Sequence, residues 1–206
     1  DDLPRTLGAG LDAGLDQELD PDASFRAVTH ADGASKGFDE VLARAGLHEL
    51  LAARLQLGLE QQDGAARARL GLALGRLYSG PLNSPERAVD AWMAALVADP
   101  SNEDAKIALR SHAAATRDQA PLVEALIRVG RRVVPGSDEA APPGTEACLT
   151  ELMVMAEQRL SDPTLAGWAL ERLAALAPDA ELDKQRERLR PRARLQQEAT
   201  QNARAA

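Results

Sequence analysis

The sequence predicts an all-α protein built from antiparallel helical hairpins, and three observations predict it. Apolar residues recur at three- and four-residue steps, the spacing of one helical face, and no strand pattern is visible. Aromatics make up only 2% of the chain, so Leu, Ala and Val must do the packing, which suits helices better than a β-sandwich. Proline-terminated segments also recur: Pro21, Pro100 and Pro178 follow one another at intervals of 79 and 78 residues. A row of repeated units explains that spacing, whereas an ordinary bundle does not require it.

The elements follow in order. Residues 1–22 place Leu3, Leu7, Leu11, Leu15 and Leu19 every fourth residue, with Gly8, Gly10 and Gly14 between them. Steps of four drift by about 40° from a straight helical face, and glycines weaken a helix, so the segment reads as a marginal helix in need of a docking surface. Residues 22–37 are a polar connector with a helical turn around Phe25 to Val28. Phe38 to Ala45 is expected as a short helix ending at Gly46, and Leu47 to Leu59 as a second. After Asp63-Gly64, Leu70, Leu74, Leu77 and Tyr78 form one stripe. Gly80, Pro81, Asn83, Ser84 and Pro85 interrupt it, and Ala88, Ala91, Trp92, Ala95 and Leu96 form a second stripe ending at Asp99-Pro100. Gly75 is expected to face Ala88 and Ala95 and so let two helix axes approach closely.

That hairpin resembles the tetratricopeptide repeat (TPR), through Leu74, Gly75 and Tyr78 on the first helix and Ala88, Trp92, Ala95 and Pro100 on the second. The resemblance implies an α-solenoid of stacked hairpins, and the link Arg44 to Leu51 is similar to the turns between its paired helices. Beyond Pro100, Ser101 or Asn102 is expected to cap a helix that has Glu103 and Asp104 in its first turn. A helix over 121–134 repeats the Leu50 to Gly58 pattern at an offset of 72, with Gly130 in the place of Gly58. Residues 135–144 form a loop. A further hairpin runs from Thr145 through Asp162-Pro163 to Pro178. In the tail, Leu182, Leu189 and Leu195 are the apolar residues available to bind the preceding unit, and Pro191 is expected to kink or end a capping helix. The division is thus 1–37 (acidic helix and connector), 38–178 (repeat array) and 179–206 (capping helix and polar tail).

A net charge of -8 and a pI near 5.0 argue against a nucleic-acid role, and no run of 18 apolar residues is long enough to span a membrane. The one cysteine, Cys148, sits among Leu149, Leu152 and Met153 and reads as a buried, inert thiol. Arginine supplies 21 of the 24 basic residues, a codon-usage hint of a GC-rich bacterial genome. The start at Asp1 reads as a processed product or a piece of something longer, and the compartment is left open. His30, His48 and His112 fall in separate elements, none at ligand spacing. Asp16, Glu18, Asp20 and Asp22 lack the Gly and terminal Glu of a calcium loop and read as a solvated acidic face. The tail basic residues Lys184, Arg186, Arg188, Arg190, Arg192 and Arg194 carry no interleaved aromatic and read as a solvated helix.

No nucleophile, base or phosphate-binding loop has the necessary pattern, so the expectation is a non-enzyme without cofactor or metal. The TPR resemblance implies a partner-binding groove lined by first helices, with Arg69, Leu72 and Arg76 projecting from one hairpin and Asp104, Ile107 and Ser111 from the next. The expected partners are other proteins or peptide segments. Two functions stay open: an interaction scaffold or adaptor, and an architectural subunit held permanently in a larger complex.

Overall fold

A computed structural model describes residues 32–134, 136, 140–176 and 180–205, and the described residues are all-helical, with no strand among them. They divide into two compact units between Leu51 and Ala52. The helices are α1 (Asp32–Arg44), α2 (His48–Gln61), α3 (Gly64–Ser79), α4 (Pro85–Ala98), α5 (Glu103–Thr116), α6 (Ala120–Arg131), α7 (Thr145–Met155), α8 (Pro163–Leu176) and α9 (Ala180–Ala205). A π-helical turn, Ala156–Leu160, prolongs α7. The expectations for residues 1–31, including the leucine series, the turn at Phe25, the acidic run and His30, lie outside the described residues. α1 starts six residues before Phe38, inside the expected connector.

Local chemistry sets the helix ends in the second unit. Between α3 and α4 the chain closes by Ser84 N–H donating to the Tyr78 carbonyl at 2.7 Å. Pro85 then opens α4, where a missing N–H costs no helical bond. Asp99 accepts the Ser101 hydroxyl at 2.6 Å, and Asn102 caps α5 by accepting from Ala105 N–H at 3.0 Å, which settles the choice between Ser101 and Asn102. The π turn stops at Ser161, which is left-handed at φ 51°, and Asp162 caps α8 by accepting from Thr164 and Leu165 N–H, both at 3.0 Å.

Pro191 does not end α9, which runs on to Ala205. Proline leaves the carbonyl four residues earlier, at Glu187, without its helical donor, and Glu187 is an exposed residue.

From α3 onward each helix packs on the next, and α4 also packs on α6. One apolar core runs through these helices, with Leu96, Leu109, Leu126, Leu149, Leu152 and Leu170 at most 1% exposed. Each such leucine contributes about 2 kcal/mol of transfer free energy. Glycines set the closest approaches, with a corrected register. Ala95 meets Gly71, where an added Cβ would lie 3.0 Å from the Ala95 methyl. At Gly75 the added Cβ would overlap the Trp92 indole. In an antiparallel hairpin, four residues toward the turn on α3 move the contact about as far back toward the turn on α4, so Gly75 cannot share Ala95. The second tryptophan repeats the device: a Cβ on Gly130 of α6 would lie 2.7 Å from both Trp168 of α8 and Leu149 of α7.

Candidate partner-binding groove

Three of the expected groove residues lie on α5, whose successive turns carry two kinds of side chain. Asp104, Ile107 and Ser111 are exposed, Ile107 by 52%. Glu103, Lys106 and Arg110, at steps of three and four, lie on the face toward α7. There Lys106 buries its aliphatic stem and places Nζ 2.7 Å from Glu103. Arg110 reaches Glu103 at 3.1 Å and grips Glu151 of α7 with two bonds, Nε at 2.8 Å and Nη2 at 2.7 Å.

This network has a clear electrostatic cause and effect. The Lys106 ammonium, hydrogen-bonded to Glu103, holds that carboxyl below its ordinary value of 4.5, with Arg110 adding to the effect. The Glu151 carboxylate holds the Arg110 guanidinium above its usual range. Beside the network, burial pushes the Cys148 thiol up to about 11, and its Sγ lies 3.4 Å from the Pro100 carbonyl.

Between α5, the start of α6 and α7 with its π turn lies a groove of about 930 Å³. Its walls combine the Lys106–Arg110–Glu151 network with Leu122, Thr150, Val154, Met155 and Gln158. Glu146 and Arg159 also line it, and neither has an ion-pair partner among the described residues. Two positive and two negative groups are already matched inside the network, so the groove offers apolar surface, amides and one unmatched charge of each sign. No group of three or more His, Cys, Asp or Glu among the described residues could hold a metal.

Arg69 and Arg76 of α3 are exposed, and Arg76 meets Asp104 of α5 at 3.2 Å, joining two expected groove residues from different hairpins. Leu72 is corrected: it is 8% exposed and part of the core, because its position on α3 turns toward α4 and the Val89 and Met93 cluster. Sequence reasoning missed the Lys106–Arg110–Glu151 network. Its α5 half was readable from the helical spacing of Glu103, Lys106 and Arg110, but its α7 half required knowing that α7 packs alongside.

Similar contacts recur between other helices. Arg76–Asp104 joins α3 to α5, Arg110–Glu151 joins α5 to α7, and Arg188–Glu157 at 2.9 Å joins α9 to the π turn. On the alternate helices, Arg132 donates to the Val97 carbonyl in the last turn of α4, and Arg172 of α8 donates to the Val133 carbonyl just past α6 at 3.0 Å. Among the described residues no helix is long and apolar enough to cross a membrane. Compared with known protein families, with curated proteins and with solved structures, the chain matches none.

Proposed function

We propose that the second unit is a TPR-like α-solenoid acting as a non-catalytic scaffold, which holds a segment of another protein along α3, α5 and α7. The observation that carries this reading is the groove between α5 and α7, whose ionic side chains are largely satisfied by one another while Val154, 38% exposed, lines it and Ile107, 52% exposed, stands on α5. Three features support the stacked arrangement: the main packing is between helices one or two apart, alternate helices are joined by ion pairs on one side, and Arg-to-carbonyl bonds join them on the other. Photocrosslinking tests it. A benzophenone side chain at Val154 or Ile107 captures a defined partner in cells, while one at exposed Gln201 on α9 does not; equal capture at all three positions removes the groove reading.

The reading as a permanent architectural subunit is favoured by the first unit, where Phe38, Val41, Leu47 and Leu50 are 43–58% exposed. Under that reading a partner stays bound through purification in high salt, and the isolated chain is stabilised by co-expression.

A further inference from the structure

We infer that the α5–α7 groove takes one amphipathic helix of another protein, lying antiparallel to α7, with acidic residues in its first turn and basic residues in its last. This rests on the groove being the partner-binding surface, and adds the conformation, direction and charge order of the bound segment.

The walls select the conformation. One carries Lys106, Arg110 and Ala114 in steps of four along α5, and the other carries Ala147, Glu151 and Val154 in steps of four and three along α7. Rows at helical spacing receive the rows of another helix between them. An extended segment gains nothing from its main chain here, because both walls are helices whose interior backbone groups are already paired with one another. Its own N–H and C=O groups would go unmatched, whereas a helix pairs its own. Val154, 38% exposed, supplies the apolar contact between the ends.

The unmatched charges select the direction. Lys106 is held by Glu103, and Arg110 by Glu103 and Glu151. The lining charges without an ion-pair partner among the described residues are Glu146, in the first turn of α7, and Arg159, in the π turn. Glu157, close to Arg159 in that turn, is held by Arg188 of α9. Glu146 and Arg159 are 13 residues apart, or about 20 Å along a helix, which exceeds the screening length of about 8 Å at physiological salt. Neither cancels the other, so the groove is negative at one end and positive at the other.

The π turn contributes to this arrangement. In an unbroken α-helix Arg159, five residues after Val154, would stand roughly 140° round the axis from it. A π turn closes its rings one residue later and so brings Arg159 back toward the Val154 face, where both line the groove.

A helix with an acidic first turn and a basic last turn complements its own macrodipole, so the charge order that fits the groove also favours the helix. Laid antiparallel to α7, its first turn meets Arg159 and its last meets Glu146. Laid parallel, like charges meet at both ends.

The test selects from a displayed library of helical peptides about 14 residues long, the span of the groove, on the immobilised full chain. Enriched peptides are expected to carry Asp or Glu in the first turn, Lys or Arg in the last and an apolar residue between; selection on E146K/R159E is expected to return the opposite order. By anisotropy, an enriched peptide is expected to bind the wild-type chain about tenfold more tightly than its charge-reversed twin, and E146K/R159E to invert that preference. A benzophenone at the peptide's amino-terminal end is expected to crosslink to the π turn, and one at its carboxyl-terminal end beside Ala147. No enrichment, enrichment without charge order, or the opposite crosslinking pattern would each overturn the inference. Unchanged peptide affinity in E146Q and R159Q, with a loss of thermal stability, would also overturn it, since the two charges would then serve only the ends of α7. So would a dimer in sedimentation velocity that the peptide dissociates, which would make a second copy the occupant. Capture of a partner at Val154 in cells, alongside enriched peptides of no fixed charge order, would sink this inference and leave the scaffold reading standing.

Discussion

The helices α4, α6 and α8 and the helices α3, α5, α7 and α9 are tied to their own kind by different chemistry. α4 and α6 pack directly, and Trp168 of α8 lies against the bare backbone of Gly130 on α6, reinforced by Arg172 over the indole at 5.4 Å. The other set is joined by ion pairs that range from Arg76 and Asp104, 70% and 64% exposed, to Arg110 and Glu151, 44% and 20% exposed. The first arrangement resists change because interiors are close-packed, whereas the exposed pairs of the second contribute little energy.

The largest effect that would sharpen this contrast is expected from Leu126→Ala on α6, which removes a fully buried side chain and should cost about 3 kcal/mol in urea unfolding. Gly130→Val comes next, at about 2 kcal/mol, since the rigid Trp168 ring leaves no room for the added carbons. A neutral outcome at Gly130 would break the distinction. On the ionic side, Glu151→Gln should cost about 1 kcal/mol, because the carboxylate is only 20% exposed and gripped twice. Arg76→Ala should cost under about 0.5 kcal/mol. The smallest effect is with pH. Glu103 has a depressed value in the folded chain, so its contribution is present above about 4.5 and is lost as pH falls through the lower folded value. Thermal unfolding of Glu103→Gln should lack that part of the acid dependence.

Turn chemistry was the most legible part of the fold. Gly80 to Pro85, Asn102 and Asp162-Pro163 each act through their own backbone neighbourhood, and a reader of the sequence sees that neighbourhood complete. Pairings between helices were less legible. Gly75 was readable as a close-approach site, but its partner depended on hairpin register, and the atoms nearest it belong to Trp92 rather than to Ala88 or Ala95. Leu72 failed for a related reason: the helical spacing that places it near Arg69 and Arg76 does not say which side faces α4. Pro191 is expected to kink or end α9, and the helix runs on through it to Ala205. Of the groove, α5 could be read from spacing alone, while Glu151, 41 residues beyond Arg110, could not.

The two Arg-to-carbonyl bonds impose an order in time. Val97 waits for Arg132 and Val133 waits for Arg172, intervals of 35 and 39 residues, so each hairpin leaves the ribosome with an acceptor that only later chain will engage. Synthesis halted after residue 160 would leave the Val133 carbonyl without the Arg172 guanidinium that engages it.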